Sequence, residues 1–251
     1  MDLSIVTHKE TLTIKSDGSS YALAKSLSVF LKVRVLAESE KPGSRFVLYI
    51  RNNCLALTWV KQTRLQPFSV TLDSRYPSKG KDPLLRAVGQ TKGTVVDMTA
   101  GWCGDACHLA QSGLDVIAIE HNALVYAMVR HTLDNHPVSA KLKLYFGESI
   151  IMLPQLAPSV DVVYLDPMYP SRPGSAASPK DITILRAIVE AWETCEVGID
   201  ADVEVELFQL AMKTASKRVV VKRPHYADPL FPGKVGETKG KQVRFDIYNP
   251  G

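Results

Sequence analysis

From Gly93 to the C-terminus, short apolar runs alternate with longer segments whose apolar residues recur at helical spacing. Val95-Val96-Asp97, Val116-Ile117-Ala118-Ile119, Leu142 to Phe146, Val160 to Leu165 and Arg218 to Lys222 are rich in β-branched residues and read as strands. Helices are expected from the glycine loop at 101–104 to about Ser112, from Ala123 to near Asn135 and, briefly, from Ile150 to Leu153. Two more are expected from Ile182 to Glu196 and from Val203 to Thr214, and Val243 to Tyr248 predicts a last, antiparallel strand. Repeated βα units imply an α/β fold with a mainly parallel, doubly wound sheet, whose ligands bind at the carboxyl ends of the strands.

The first 75 residues lack that alternation. Leu12-Thr13-Ile14, Arg45 to Ile50 and Cys54 to Thr58 read as strands, with a turn signal at Asn52-Asn53. Tyr21 to Leu31 carries apolar residues at helical spacing (Leu23, Leu27, Phe30, Leu31) behind a run of serines suited to capping. The expectation is a small α+β domain over 1–75, followed over 76–251 by the doubly wound domain. Arg75-Tyr76-Pro77-Ser78-Lys79-Gly80-Lys81 forms a basic joint, and Asp82-Pro83 opens the next helix, with proline suited to a first turn.

Composition excludes several classes. With 251 residues, 45% hydrophobic and 22% charged, the chain has the make-up of an ordinary globular protein. No apolar stretch approaches the roughly 20 residues a membrane helix needs. The segment Met1 to Glu10 lacks the basic start, apolar core and cleavage site of a signal peptide, so a cytoplasmic location and no membrane partner are expected. Cys54, Cys103, Cys107 and Cys195 form no C-x-x-C pair and no zinc-type spacing, so no metal is expected. The net charge of +4 is unevenly spread: through Lys92 there are 15 Lys and Arg against 7 Asp and Glu, and beyond it 15 against 19. A basic N-terminal third joined to an acidic remainder suits a protein that grips a polyanion with one part and processes it with the other; a lysine-rich solvated face is the plainer alternative.

Candidate chemistry gathers at the strand ends. Asp97-Met98-Thr99-Ala100-Gly101-Trp102-Cys103-Gly104-Asp105 leaves the first strand of the alternating region and opens its first helix. Gly101 and Gly104 allow close backbone approach to a ligand, although G-x-x-G is not the dinucleotide fingerprint. Glu120 ends the next strand, where an acid accepts hydrogen bonds from both hydroxyls of an adenosine ribose. NAD and S-adenosylmethionine both carry that ribose. The carboxylates of Asp97 and Asp105 favour the cationic sulfonium donor over a diphosphate, on the sign of the Coulomb term. Each acid also has a plainer role open to it: Asp97 as a loop cap, Asp105 as a helix N-terminal acid, Glu120-His121-Asn122 as a strand-to-helix turn. After the third strand stands Gly147-Glu148-Ser149, where Ser149 either caps a helix or reaches the adenine. Finally, Asp166-Pro167-Met168-Tyr169-Pro170 directly follows the apolar strand at 160–165. A carboxylate, a carbonyl and a flat ring at one corner suit a planar exocyclic amine: Asp166 and the Pro167 carbonyl accept its two protons while Tyr169 stacks on the base.

With these pieces the chain resembles the RsmJ family, methyltransferases that place a methyl on guanine N2 in small-subunit (16S) ribosomal RNA. The resemblance runs from about Phe68 to Tyr248. It is carried by Val95 to Gly101, Asp105-Ala106, Val163 to Pro170, Lys217 to Pro224 and Arg244-Phe245-Asp246-Ile247-Tyr248. It implies a class I, Rossmann-like methyltransferase sheet with S-adenosylmethionine as cofactor. Donor contacts would then fall on Gly104, Asp105, Glu120, His121, Glu148, Ser149 and Asp166, beside the loop residues Asp97 and Gly101. The family usually has Gly-Leu-Gly-Arg-Asp where this chain has Gly101-Trp102-Cys103-Gly104-Asp105, so a cysteine replaces the second glycine. His121 stands where arginine is common and Glu148 where a small residue is common.

The implied partner is ribosomal RNA or the small ribosomal subunit. Arg75, Lys79, Lys81, Arg172, Lys180, Lys222 and Arg223 are the candidate phosphate contacts, with Pro173 to Pro179 as a flap over the substrate. Methylation of another planar amine, adenine N6 or glutamine, is the first alternative. A non-catalytic RNA-binding homologue is the second.

Overall fold

A computed structural model describes residues 11–62, 64–72, 82–89, 91–157, 159–169, 179–192 and 201–251. Arg75, Lys79, Lys81 and Arg172, the flap from Pro173 up to residue 178, Pro170 and Cys195 lie outside the described residues. Two compact units are present: Met1–Thr71 with Ala123–Thr132 and Gly174–Val197, and Leu72–Asn122 with Leu133–Pro173 and Gly198–Gly251.

In the first unit, β1 (Leu12–Ser16), β2 (Phe46–Arg51) and β3 (Cys54–Trp59) form a sheet in the order β1-β2-β3. β1 runs parallel to β2, and β2 antiparallel to β3. The β2–β3 connection is the two-residue turn Asn52-Asn53, with φ of 48° and 58°. Left-handed backbone at both central residues is what matches such a turn to the twist of its strands, and asparagine tolerates it. α1 (Tyr21–Leu31) follows a 3-10 turn whose Asp17 carboxylate accepts from Ser20 N and Asn52 N, both at 2.8 Å. Phe30 meets Tyr126 of α4 (Ala123–Leu133) at a ring separation of 5.8 Å. α6 (Lys180–Trp192) begins with Lys180, whose ammonium donates to the Pro67 carbonyl at 2.9 Å.

The second unit holds a seven-stranded sheet built from β4 (Thr94–Asp97), β5 (Asp115–Glu120), β6 (Leu142–Phe146), β7 (Val160–Leu165), β8 (Ala215–Pro224), β9 (Gly236–Lys239) and β10 (Val243–Tyr248). Its order is β6-β5-β4-β7-β8-β10-β9. The five strands from β6 across to β8 are parallel, and β10 is antiparallel to both β8 and β9. The expected mainly parallel α/β sheet and its antiparallel final strand are both present. Central strands covered on both faces read as unbroken apolar runs, and β7 is buried at all but Asp161. The core gathers Val96, Ile119, Val163, Leu165, Val219 and Val221 with Leu153 and Tyr248. Phe208 of α7 (Ala201–Thr214) stacks on Phe231 with centroids 3.8 Å apart.

α2 (Pro83–Val88) opens as expected, with Pro83 in the first turn and the Asp82 carboxylate accepting from Leu84 N and Leu85 N. The other Asp82 oxygen pairs with His108 of α3 (Gly104–Gln111). α2 ends at Gly89, φ 74°, with the Arg218 guanidinium against the carbonyl of Ala87 at 2.9 Å. A Cβ at Gly89 would fall 2.1 Å from that guanidinium.

The sheet order fixes where a ligand can enter. From β4 the chain builds outward to β5 and β6, then returns to the other side of β4 to lay down β7 and β8. The crevice at such a reversal lies beyond the carboxyl ends of the two strands flanking it, here β4 and β7. Asp97 and Tyr164 are register partners there, so the loops after 97 and after 165 leave the sheet side by side.

Candidate active site

The loop after β4 is held by the strands around it. Met98 N donates to Tyr164 O (3.1 Å), Ala100 N to Ile119 O (3.1 Å) and Cys103 N to Ala100 O (2.7 Å). Gly101 and Cys103 both have left-handed backbone, with φ of 50° and 57°. Glycine adopts that conformation at no steric cost, whereas cysteine there carries strain of about 1–2 kcal/mol. The Cys103 side chain is fully buried, and burial pushes its thiol well above the usual range. Of the other cysteines in the loop region, Cys107 donates its thiol to the Leu72 carbonyl. Among the described residues no three His, Cys, Asp or Glu side chains gather as a metal site.

Asp97 ends β4 almost completely buried, accepting from Thr99 N at 3.0 Å. Burial pushes its carboxyl up to about 8, the Thr99 hydrogen bond opposes this, and the nearby Asp105 and Asp166 carboxylates add to it. Glu120, at the end of β5, reaches back into the loop: one oxygen accepts from Gly101 N at 2.7 Å and the other from Asn122 N at 2.7 Å. A carboxylate has about four lone-pair sites, so each oxygen retains one for a ligand hydroxyl. His121 beside it is exposed. After β6, Gly147 donates to the Glu120 carbonyl. α5 (Ser149–Leu156) starts there, and Glu148 occupies its N-cap position through its backbone rather than its side chain. Ser149 is the first helical residue, not the cap; its buried hydroxyl donates to the Met98 carbonyl at 2.6 Å and ties α5 to the loop after β4.

The corner after β7 sits beside this loop. Asp166 N donates to Thr99 Oγ1 at 2.6 Å, which fixes the start of the turn. Its carboxylate is 34% exposed and accepts from Lys222 Nζ at 2.8 Å through Oδ2. The same ammonium lies 2.7 Å from Asp105 Oδ2, and the Tyr164 hydroxyl donates to that Asp105 oxygen at 2.5 Å. Pro167 is buried. The Tyr169 ring carries the Arg223 guanidinium 4.2 Å from its centroid.

Asp97, Gly101, Gly104, Asp105, Glu120, His121, Glu148, Ser149, Asp166, Pro167 and Tyr169 all stand at the carboxyl ends of β4, β5, β6 and β7, on the last strand residue, in the loop that follows, or in the first turn of the next helix. Two of the candidate phosphate contacts are placed otherwise. Lys222 is turned inward between two carboxylates. Arg223 is buried, donating through Nε and Nη2 to the Asp228 carbonyl at 2.9 and 2.6 Å while it covers one face of Tyr169. Thr99 and Tyr164 are participants that no sequence signal singled out, and Asn122, read from the sequence only as part of a strand-to-helix turn, also takes part. Their contributions are a hydroxyl, a phenol and a backbone N–H aimed by the sheet.

The SAM_MT family model, of SAM-dependent methyltransferases, matches residues 32–250. Ribosomal RNA small subunit methyltransferase J of Shewanella loihica is 36% identical over 222 residues, covering 81% of this chain and 82% of its own. The chain belongs to the methyltransferase J family. The enzyme of the same name from Coxiella burnetii is 39% identical over 175 residues, 66% of this chain and 65% of its own. A SAM-dependent methyltransferase from Neisseria gonorrhoeae, seen in a crystal structure, has a TM-score of 0.72 at 27% identity and covers 95% of this chain and 96% of that one. The chain is therefore a methyltransferase whose methyl donor is S-adenosylmethionine. The loop turns left-handed at Cys103, a conformation that glycine adopts at no steric cost, and this chain keeps the turn with a buried thiol.

Proposed function

We propose that this protein transfers a methyl group from S-adenosylmethionine to the exocyclic N2 of a guanosine in small-subunit ribosomal RNA, in the cytoplasm, with the small ribosomal subunit as partner. The observation that carries this reading is the adjacency of the Asp166-Pro167-Met168-Tyr169 corner to the Glu120-braced acidic loop. An amine acceptor site and a site for a cationic adenosine donor then share one crevice. The relatives' names supply the class of RNA.

S-adenosylmethionine brings a methyl on a cationic sulfonium, which makes that carbon electrophilic. Glu120 accepts from the ribose hydroxyls, and Asp97 and Asp105 face the positive groups of the donor. Asp166 and the Pro167 carbonyl would accept from the two amine protons, which draws the nitrogen lone pair out of conjugation. As the nitrogen–methyl bond forms and the sulfur–methyl bond breaks, S-adenosylhomocysteine would leave and one amine proton would pass late to Asp166. Lys222 is bonded to Oδ2 of Asp166, so Oδ1 is the oxygen assigned to the amine. Tyr169, whose ring already carries the Arg223 guanidinium, is the proposed stacking partner of the base, a stack worth roughly 1–3 kcal/mol. Holding both partners in place provides most of the acceleration. Arg75, Lys79, Lys81, Arg172 and Lys180 stay proposed phosphate contacts.

Incubation with labelled donor and unmethylated small subunits, followed by digestion of the RNA, is expected to yield N2-methylguanosine. Label in N6-methyladenosine or in protein would overturn the choice of amine.

Donor binding is expected to depend on pH through Asp97. Its folded value of about 8 lies above the ordinary 3.8. The sign follows: below about 3.8 both folded and unfolded chains hold the proton, and as pH rises towards 8 only the unfolded chain loses it. This group's contribution to stability therefore falls across that window and is level above it. A bound cation favours the ionised form, so donor binding below pH 8 should release a proton, with affinity rising by up to about tenfold per pH unit. Calorimetry in two buffers of different ionisation enthalpy measures this release, and Asp97→Asn should eliminate it.

A further inference from the structure

We propose that Lys222 is a positioning residue for methyl transfer: its ammonium, clamped between Asp105 and Asp166, keeps the Asp166 carboxylate ionised and aimed at the acceptor amine. The inference rests on the function proposed above and assigns a role to a residue whose sequence context reads as a phosphate contact. Lys222 lies near the end of β8 with its side chain 21% exposed, 2.7 Å from Asp105 Oδ2 and 2.8 Å from Asp166 Oδ2. Both carboxylates are themselves anchored, Asp105 by the Tyr164 hydroxyl and Asp166 through its backbone on Thr99. The cation is thus held in a rigid frame drawn from α3, β7 and β8, and through it the donor loop and the acceptor corner are joined by one chain of hydrogen bonds.

The charges facing Asp166 make that cation necessary. Asp105 on α3 is a like charge that opposes its ionisation. Asp97 on β4 is also close, its own carboxyl pushed up to about 8 in part by Asp166, and Tyr169, with Arg223 stacked on it, lies on the same loop as Asp166. Burial raises the Asp166 carboxyl, Lys222 lowers it and Asp105 raises it further. Two carboxylates left facing one another without a cation hold a proton between them. A protonated Asp166 is a donor at one oxygen and no longer accepts from the amine there.

Lys222→Met, assayed with saturating S-adenosylmethionine and unmethylated small subunits, should lower kcat by about 100-fold near neutral pH. The activity of the wild-type enzyme should fall as pH drops through the folded value of Asp166. In the variant that acid limb should move to higher pH, so the deficit shrinks as pH is raised. Lys222→Arg keeps the cation and should leave the limb at its wild-type position, a readout that stands even if the methionine variant folds poorly. A deficit in Lys222→Met that is the same at every pH, or an acid limb displaced in Lys222→Arg, would overturn the proposal. Tighter donor binding in Lys222→Met with unchanged kcat would also overturn it, by showing that the ammonium merely fills the place of the donor's cation. A wild-type enzyme that methylates no guanine under these conditions would defeat the proposed function itself.

Discussion

Asp166→Ala is expected to lower methyl transfer by about 10³-fold or more while donor affinity changes by only a few-fold. The fold should tolerate the change. The turn after β7 is fixed by Asp166 N on Thr99 Oγ1, a backbone bond that alanine keeps, and Lys222 retains Asp105 as its partner. What disappears is the charged acceptor for the amine. Removing one preorganised electrostatic partner of a transition state costs about 10²–10³ in rate, and losing the group that takes the developing proton adds to that. Asp166→Asn separates the two contributions, because the amide keeps a neutral carbonyl acceptor but cannot take up a proton. Single-turnover transfer from labelled donor, with calorimetric titration of S-adenosylmethionine alongside, measures both quantities. Turnover near wild type in Asp166→Ala would remove the acceptor site from this corner.

Much of the second unit was legible because burial on both faces writes itself as unbroken apolar runs. β4, β5, β6 and β7 each end at or next to the acid or glycine that serves the site, so strand ends located candidate residues directly. β9 was not legible: Gly236-Glu237-Thr238-Lys239 is short and polar, and it is a strand only because β10 offers it an edge. Lys222 and Arg223 show a different limit. A basic pair at a strand end reads as a phosphate clamp, yet the partners that turn Lys222 inward come from 117 and 56 residues away, and those of Arg223 from the loop after β8 and from Tyr169. Spacing along the chain cannot show which carboxylates a lysine will meet across a sheet. The same holds for the grouping of Ala123–Thr132 and Gly174–Val197 with the N-terminal unit, which no linear division of the chain contains. Ser149 was legible as a choice between cap and ligand contact, and the sheet gave it a third partner, the Met98 carbonyl.

Glu120 gives the second large effect, and its hydrogen bonds make glutamine as poor a replacement as alanine. Both carboxylate oxygens already accept from backbone N–H groups, Gly101 on one side and Asn122 on the other. Alanine leaves both without their acceptor next to a buried position, and each hydrogen bond to a charged group is worth about 1.5–3 kcal/mol. Glutamine must point its own N–H₂ at one of the two, donor against donor. The Gly101 N–H is held on Glu120 where the loop turns left-handed, so the change should also displace the backbone of the proposed donor loop. Loss of the ribose acceptor and loss of the loop brace act together, and S-adenosylmethionine affinity should fall by about 100-fold or more in either variant, corresponding to roughly 3 kcal/mol. Thermal unfolding of the protein without donor should show the second component by itself, as a loss of about 2–4 kcal/mol in Glu120→Ala. A variant that binds the donor weakly but unfolds like wild type would mean that Glu120 serves the ribose alone and that the loop after β4 keeps its shape without it.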